Sequence, residues 1–429
     1  MNTTQLHMMT SATSSKPIQG CRFCGEPLRE TCVDLGVSPL CESWLAASDL
    51  NKMEPFYPLH VFVCHKCFLV QVNEYVSGEE IFGGEYAYFS SYSDSWLAHA
   101  KRYAEEAIQR WHLGAHSQVV ELASNDGYLL QYFVERGIPV LGIEPAENCA
   151  AVAIKKNIPS LCKFFGVNTA QELRDQGRRA DLLIGNNVLA HVPDLNDFVA
   201  GIKILLADQG VNTMEFPHLV TTMEGNQFDS MYQEHYCYLS FHTIEKVFAA
   251  HGLTLFDVDE IPTHGGSLRI YSRHVEDTSK PVVPRVTELR QRELDMGYGD
   301  LEVYRAFGEK VIQTKHKLLE LLIRLRREGK QIAGYGAPGK AATLLNYCGI
   351  REDLIAYTVD RNPYKHGRFM PGVRIPVFPT EKIRETRPDY VVILPWNLKD
   401  EIMQQLSYIR EWGGKFILPI PEAAILEPQ

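Results

Sequence analysis

Short apolar segments alternate with amphipathic segments in two stretches of the chain, and this alternation constrains the fold more than any other feature. The first stretch predicts strands at 119–123, 140–144, 181–186 and 211–216, with helices between them. The second predicts strands at 331–335, 354–360, 390–395 and 415–419, again with intervening helices. Such alternation predicts parallel, doubly wound sheets. We therefore expect an α/β protein with two Rossmann-like units, each binding ligands at the carboxyl ends of its strands.

The segments around these two stretches complete the predicted organisation. A helix at 241–251 and strands at 254–260 and 267–272 would close the first sheet with an antiparallel edge. The polar segment 275–300 is typical of a linker, and 300–328 has the periodicity of a long amphipathic helix. The predicted domains are 1–92 (with a tail at 1–17), 93–280 and 281–429, which agrees with about 150 residues per domain in a chain of 429 residues.

The charge balance argues against polyanionic partners. Lys plus Arg total 43 and Asp plus Glu total 53, giving a formal net charge of −10. An acidic chain is a poor candidate for nucleic-acid or anionic-membrane binding, although a local cationic pocket can still hold a small anion. No apolar run reaches the length of a membrane span and the first residues do not form a secretory signal, so a cytoplasmic enzyme is expected.

Four of the ten cysteines form two Cys-x-x-Cys pairs, Cys21/Cys24 and Cys64/Cys67. Two such pairs can supply the four thiolates of a closed tetrahedral Zn²⁺ site. The pairs are 39 residues apart, whereas the usual spacing is about 15–20. Buried thiols or redox pairs are the alternatives. We favour structural zinc, because a small loop-rich segment gains stability from a metal.

The tips of the strands in the first stretch carry polar residues. Sequence 119–127, VVELASNDG, predicts a strand and turn that contribute Glu121, Ala123, Asn125 and Gly127. Its single glycine excludes a G-x-G-x-x-G turn. Glu121 and the second-strand residue Glu144 suit a cofactor with an ammonium group and a ribose, and this combination resembles class I S-adenosylmethionine-dependent methyltransferases.

Two amides end the third strand of this stretch, Asn186 and Asn187, and are expected beside the same cofactor. An ordinary strand–helix turn is the alternative for the first tip. His191, a few residues further along the chain, could simply cap the following helix.

The segment 228–240, FDSMYQEHYCYLS, is the densest polar and aromatic cluster in the chain. Tyr232, Glu234 and His235 bring together phenol, carboxylate and imidazole groups. Imidazole is a natural base at neutral pH, and phenols can stabilise an enolate oxygen. A helix cap with core aromatic residues is the alternative. The turn at 263–267 adds His264 and Gly265, where glycine permits close approach of the backbone to a ligand.

The second stretch has its own glycine-rich turn, in which Gly334, Gly336 and Gly339 satisfy G-x-G-x-x-G, with Asp360 ending the next strand. Read alone, this pattern indicates an NAD(P)-dependent oxidoreductase. A P-loop is excluded because Ala341 stands where a hydroxyl would bind Mg²⁺. A tight structural turn is the remaining alternative.

Together and in this order, these motifs resemble the sugar-nucleotide C-methyltransferases, over nearly the whole chain from Cys21. The motifs that carry the resemblance are the two Cys pairs, EYAYFSSYS (85–93), VVELASNDGYLL (119–130), LGIEPAEN (141–148), FDSMYQEHYCYLS (228–240), THGGSLRIY (263–271) and GYGAPGKAATLLNYC (334–348).

The resemblance implies three units: a zinc-binding N-terminal domain, a central S-adenosylmethionine domain and a C-terminal Rossmann-like domain that helps to hold the sugar nucleotide. It implies methylation of a dTDP-linked 4-keto-deoxysugar, typically at C-3′, with His235 as the base. It places Tyr232, Glu234 and Tyr86 beside that base.

The resemblance assigns the turn of the C-terminal domain to the substrate rather than to NAD. Gly336, Gly339 and Lys340 would face the diphosphate there, with His264 and Gly265 as further substrate residues. The NAD(P)-dependent sugar-nucleotide oxidoreductase remains the alternative, and a monomer is compatible with the sequence.

Overall fold

Three β-sheets, of four, seven and six strands, organise the chain. The structure is a computed structural model that describes residues 20–82, 86 and 89–427. The predicted tail at 1–17 lies outside the described residues. Among the residues that are described, no helix combines the length and the apolar character that crossing a bilayer requires.

The strands and helices are numbered in chain order. The strands are β1 (Glu30–Ser38), β2 (Tyr57–Val63), β3 (Val70–Val72), β4 (Val119–Leu122), β5 (Val140–Ile143), β6 (Ser160–Leu161), β7 (Ala180–Asn186), β8 (Leu206–Pro217), β9 (Cys237–Tyr238), β10 (Leu253–Ile261), β11 (Ser267–His274), β12 (Ile332–Tyr335), β13 (Thr358–Val359), β14 (Val377–Phe378), β15 (Tyr390–Ile393), β16 (Lys415–Leu418) and β17 (Ala424–Leu426). The α-helices are α1 (Gly78–Phe82), α2 (Asp94–Arg110), α3 (Leu130–Val134), α4 (Glu147–Lys155), α5 (Val167–Asp175), α6 (Leu195–Leu205), α7 (Leu219–Glu224), α8 (Phe241–Ala250), α9 (Pro284–Asp295), α10 (Leu301–Arg327), α11 (Gly339–Cys348), α12 (Lys382–Thr386) and α13 (Lys399–Gln405).

The central sheet has the strand order β10-β11-β8-β7-β4-β5-β6. Strands β4 to β8 are parallel, and β11 lies antiparallel to both of its neighbours, as the sequence predicts for the edge. Every residue of β4 and β5 is buried, because helices cover both faces of the sheet. Strand order reverses between β4 and β7, so a ligand crevice is expected at the carboxyl ends of these two strands.

The C-terminal sheet has the order β14-β13-β12-β15-β16-β17, with five parallel strands and antiparallel β17 at one edge. Here the order reverses between β12 and β15, which places the turn after β12 at a second ligand crevice. Helix α11 begins at this turn. The two predicted doubly wound sheets are therefore both present.

The N-terminal sheet is antiparallel, and its fourth strand comes from far along the chain. Strands β1, β2 and β3 are neighbours, and β9 joins β3 by the pairs Val70–Tyr238 and Gln71–Cys237. Alternate residues of β2 are buried, namely Leu59, Val61 and Val63. The segment that carries His235 is thus anchored to the N-terminal sheet by strand pairing.

The expectation of a linker at 275–300 is wrong, because this segment contains helix α9. Pro284 occupies the first turn, where its missing N–H costs nothing. Val286, Leu289 and Glu293 are spaced along one face and buried. Helix α9 packs on α8 and β10 of the central unit. The polar composition of its exposed face concealed this helix in the sequence.

A buried carboxylate fixes α9 to the central unit. Glu293 accepts hydrogen bonds from the ring Nε2 of His218 at 2.6 Å and from the backbone N–H groups of Phe241 and His242 at 2.8 and 2.7 Å. The two amides belong to the first turn of α8, so the carboxylate also complements the dipole of that helix.

Replacing Glu293 by Gln is expected to destabilise the protein by about 3 kcal/mol, because an amide cannot accept all three bonds and leaves buried donors unsatisfied. Thermal unfolding monitored by calorimetry would show a midpoint several degrees below that of the wild type. Exposed Glu288 on the same helix provides the control, and its change to Gln should alter stability by less than about 0.5 kcal/mol. Equal midpoints for the two variants would contradict the role of Glu293.

Candidate active site

A single cavity of about 710 Å³ lies where the three units meet. The central unit lines it with residues at the ends of β4, β5 and β7, and the 228–240 segment lines it with Ser230, Tyr232, Glu234 and His235. The N-terminal and C-terminal units contribute further residues: Cys41, Glu42, Glu74, Pro338, Gly339, Lys340, Lys365 and Asn397. The cavity therefore joins the strand crevices of two sheets.

The strand ends of the central sheet form one wall of this cavity. Ala123, Asn125, Glu144, Asn186 and Asn187 all lie on it. Glu144 is buried, and its two carboxylate oxygens accept the backbone N–H groups of Asn125 and Ala146, both at 2.8 Å. These bonds hold the turn after β4 against the end of β5.

Three non-glycine residues on this wall have left-handed backbone conformations: Ala123, Asn125 and Asn187, with φ values of 54°, 49° and 52°. Such conformations cost free energy and persist where the surroundings impose them, commonly at functional sites. The strain at Ala123 could not be predicted from the sequence, since alanine has no preference for this region.

Two residues predicted to contact the cofactor do not line the cavity. Glu121 is fully buried below the strand tip, and burial raises the pKa of its carboxyl well above the usual range. Gly127 instead provides room for packing, because a side-chain Cβ there would lie 2.4 Å from Cδ1 of Ile158. The contacts of Glu121 and Gly127 with the cofactor stay predictions. What the structure shows is that Glu121 is buried and that Gly127 packs against Ile158.

His235 has a defined tautomer. Its Nδ1 lies 2.9 Å from the backbone carbonyl of Ser230, which can only accept, so Nδ1 carries the proton and Nε2 has a free lone pair. Burial, followed by the charge of His191, holds the pKa of His235 well below its ordinary value. The ring is neutral at physiological pH and can accept a proton.

His191 packs against His235 and does not cap the next helix, so the capping alternative is wrong. The two ring centroids are 4.6 Å apart in a T-shaped arrangement. Asp194 caps α6 instead, accepting the N–H of Asp197 at 3.0 Å. Burial lowers the pKa of His191 to about 4, so this second imidazole is neutral too.

The other residues of the Tyr-x-Glu-His motif lie close to His235. The Tyr232 ring lies 4.0 Å from that of His235, and burial keeps the pKa of its phenol well above 10. Glu234 accepts a hydrogen bond from the thiol of Cys41 at 3.3 Å, and burial together with nearby Glu42 raises its pKa to about 7. The thiol was missed in the sequence, because nothing near Cys41 indicated a contact so distant in the chain.

Tyr86 lines the same cavity. Its backbone is held by Asn148, whose side chain accepts the Tyr86 N–H at 3.2 Å and donates to the Tyr86 carbonyl at 2.9 Å. Tyr86 is close enough to Tyr232 to contribute electrostatically to the raised pKa of Tyr232. Glu85, Ala87 and Tyr88 of the same motif lie outside the described residues.

The C-terminal unit brings a cation to the cavity. The Lys340 ammonium lies 4.4 Å from the centre of the Trp396 ring and donates to the Asn397 side chain at 3.2 Å. Trp396 donates in turn to Asp229, which is fully buried and has a pKa raised to about 6 by that burial. Asp229 was missed in the sequence, although it belongs to the 228–240 cluster.

The glycines predicted to contact substrate are mostly engaged with protein. Gly336 has φ 85°, and a Cβ there would lie 2.4 Å from Cδ of Pro395, so only glycine fits this turn. A Cβ on Gly339 would lie 3.0 Å from Sγ of Cys41 and 3.3 Å from Oε1 of Glu42. Gly265 packs against Gln227 and Trp396. Of the three, Gly339 alone lines the cavity, and the substrate contacts stay predictions.

The four predicted metal ligands converge on one point. The Sγ atoms of Cys21, Cys24, Cys64 and Cys67 lie within 4.8 Å of one another, with separations of 3.5 to 3.7 Å for the closest pairs. Zn–S bonds of about 2.3 Å give a tetrahedron with S–S edges of about 3.8 Å, which this arrangement matches. All four positions are filled by thiolates, so the zinc is structural.

The fold and the site define the class. A doubly wound sheet whose polar strand ends open onto a large cavity is the architecture of a class I S-adenosylmethionine-dependent methyltransferase. Family models agree with this along the chain: a zinc binding domain matches residues 21–82, a Methyltransferase domain matches 96–258 and a C-methyltransferase C-terminal domain matches 262–421.

Known proteins define the family. The chain is 32% identical to the C-methyltransferase NovU of Streptomyces niveus over 414 residues, which is 96% of this chain and 98% of that protein. A ubiquinone biosynthesis O-methyltransferase of Bartonella bacilliformis is 26% identical over 95 residues, 22% of this chain and 38% of that protein. Among solved structures, the PH0226 protein of Pyrococcus horikoshii OT3 is 14% identical, covering 44% of this chain and 94% of its own, with a TM-score of 0.37. The chain belongs to the S-adenosylmethionine-dependent sugar C-methyltransferase family.

Zinc analysis checks the metal site. Elemental analysis of the purified protein is expected to give about one zinc per chain. Cys21→Ser should lose the metal and much of the soluble yield, since metal binding contributes directly to folding of such a site. Exposed Cys162 provides the control, and Cys162→Ser should retain full zinc. Full zinc in Cys21→Ser would exclude the four-cysteine ligand set.

Proposed function

We propose that the protein transfers a methyl group to carbon 3′ of a nucleoside diphosphate 4-keto-deoxysugar, most simply a dTDP-linked one, with His235 as the base. The observation that carries this proposal is the position of His235, which lines a cavity shared by the strand ends of the central sheet and the lysines of the C-terminal unit. The C-3′ position and the dTDP nucleotide rest on the motif resemblance.

The reaction needs a neutral base and an acidic C–H bond. A 4-keto group acidifies the proton on the adjacent carbon, and Nε2 of His235 would accept it, forming an enolate. The phenol of Tyr232, which its raised pKa keeps protonated, would donate to the enolate oxygen, and Tyr86 lines the same cavity. S-adenosylmethionine supplies the electrophilic methyl group that the carbon then takes.

The cofactor would be held by the wall formed by β4, β5 and β7. The carboxylate of Glu144 keeps unused lone pairs after accepting its two backbone N–H groups and can accept from ribose hydroxyls. Asn125, Asn186 and Asn187 offer amides beside it.

The nucleotide would be held by the C-terminal unit. Lys340 and Lys365 both line the cavity and provide two positive charges for a diphosphate. Because Glu42 approaches the beginning of α11, we assign the diphosphate to these lysines and Asn397 rather than to the helix terminus alone.

The oxidoreductase alternative gains no support. The Asp360 carboxylate, which would have to accept a ribose hydroxyl of NAD, is not among the residues that line the cavity. The relatives are methyltransferases. Tight NADH binding together with an absorbance change on turnover would restore this alternative.

A substrate panel tests the proposal directly. The enzyme is incubated with labelled S-adenosylmethionine and a set of nucleoside diphosphate 4-keto-6-deoxysugars, and products are identified by mass spectrometry and NMR. One panel member should gain one methyl group at C-3′. Methylation at another carbon would overturn the C-3′ assignment, and no methylation of any member would overturn the substrate class.

His235→Gln is expected to lower the rate of methyl transfer by about 10²–10⁴-fold, because a positioned general base contributes that much. S-adenosylhomocysteine should bind to this variant with unchanged affinity, as measured by titration calorimetry. His116 is exposed and remote from the cavity, so His116→Gln should keep wild-type turnover. Turnover by His235→Gln at the wild-type rate would remove His235 from the mechanism.

Glu144→Gln tests the cofactor wall separately from the chemistry. Loss of a charged acceptor for the ribose is expected to weaken S-adenosylhomocysteine binding by about 10–100-fold in the same calorimetric assay. The matched control is Glu147→Gln, since Glu147 is exposed on the next helix and does not line the cavity. Equal affinity of the two variants would show that Glu144 does not contact the cofactor.

A further inference from the structure

His264 is held in a conformation that histidine rarely adopts. Its φ is 56°, in the left-handed region, and Asn187 across the cavity has φ 52°. The two side chains meet, with 3.2 Å between Nδ2 of Asn187 and Nε2 of His264. Asparagine tolerates this region, whereas a histidine there is uncommon, so the surrounding structure must hold His264 in its conformation.

Neighbouring residues hold the turn of His264 in this conformation. Thr263 donates through its hydroxyl to buried Glu215 at 3.0 Å, and Glu215 is held by Arg269 at 2.8 Å. The Trp96 ring lies 5.1 Å from that of His264 and covers one side of it. The turn is therefore anchored from below by an ion pair and from the side by an aromatic ring.

The contacts also define the chemical state of the ring. The Asn187 amide nitrogen donates to Nε2, so the single proton of the neutral ring is on Nδ1. Among the described residues, no protein group accepts from that Nδ1. The side chain is exposed to the cavity, and desolvation followed by the charge of Lys340 lowers the pKa of His264 to about 4.

We propose that His264 is a catalytic residue of the reaction proposed above, donating its Nδ1–H to the C-4′ oxygen as negative charge develops there. When the C-3′–H bond breaks, its proton goes to Nε2 of His235. The electron pair of the broken C-3′–H bond forms the C-3′=C-4′ double bond. The π electron pair of the C-4′ carbonyl moves to the carbonyl oxygen. His264 keeps its proton throughout and acts as a hydrogen-bond donor, beside a phenol as the second donor.

The site favours this role over simple substrate contact. A donor that stabilises developing charge must be fixed before the reaction, and His264 is fixed by strain, by Asn187 and by Trp96. It lies on the same cavity as His235, close enough for its charge to affect the pKa of that base. Base and donor can therefore act on neighbouring atoms of one sugar.

Exchange of the C-3′ proton isolates this step from methyl transfer. The panel member that is methylated is incubated in D₂O with enzyme and S-adenosylhomocysteine, and loss of its C-3′ proton signal is followed by NMR. His264→Ala should exchange about 10²–10³-fold more slowly than the wild type with little change in KM. His264→Asn should recover much of the rate, because its amide nitrogen lies near the position of Nδ1 and asparagine tolerates the left-handed region.

The outcomes separate this inference from the function on which it rests. If wild-type enzyme neither methylates nor exchanges any 4-keto sugar, the proposed function fails. If the wild type exchanges and His264→Ala exchanges equally fast, His264 is not the donor. A rise in KM without a fall in the exchange rate, or a loss that His264→Asn does not rescue, would show substrate positioning or structural support instead.

The tautomer provides a readout independent of activity. In ¹⁵N NMR of histidine-labelled protein, the ring of His264 should be neutral with its proton on Nδ1 and should remain so at pH 5.5. The titratable groups that face it are Lys340, Glu215 and His99. A proton on Nε2, or a charged ring at pH 6, would overturn the assignment.

Discussion

The pairing of β3 with β9 is the interaction on which the active site depends. Through this pairing, Cys237 and Tyr238 become part of the N-terminal sheet, and His235 lies two residues before them in the chain. Gln71 is the centre of this connection: its backbone pairs with Cys237, its Nε2 donates to the Cys21 thiolate at 3.2 Å, and its Oε1 accepts the N–H of Arg22 at 2.9 Å. A zinc ion held by the four cysteines would therefore stabilise the strand to which the segment of His235 is attached.

The second constraint is the low polarity of the enclosed cavity. His191, His235 and His264 are all kept neutral by burial, while the carboxyls of Glu234 and Asp229 are made less acidic by the same cause. The charge of the enolate proposed above would be poorly screened in such surroundings, so a fixed donor would act on it more strongly than in water. A neutral base and a neutral donor can coexist here without repelling each other.

The sequence predicted both doubly wound sheets and the zinc ligands, because strand–helix alternation and paired cysteines are local patterns. It also predicted that Tyr232, Glu234 and His235 lie together, since they are neighbours in the chain. It failed where contacts are distant or where surface composition misleads. Helix α9 was read as a linker from its polar face, and the contact of Cys41 with Glu234 joins residues 193 positions apart. Backbone strain at Ala123 and His264 is imposed by tertiary structure and leaves no trace in residue type.

The shared strand also limits how such enzymes can be recombined. Exchanging a whole unit between relatives would pair β9 with a foreign β3, or would place Gly339 beside foreign residues in place of Cys41 and Glu42. Either exchange would alter contacts at the cavity. The short turn at 296–300, between α9 and α10, is different, because α9 belongs to the central unit whereas α10 packs on β1. A crossover there would still place a foreign α10 against the resident zinc sheet. An exchange of the C-terminal unit that keeps these contacts therefore has to include the N-terminal unit as well.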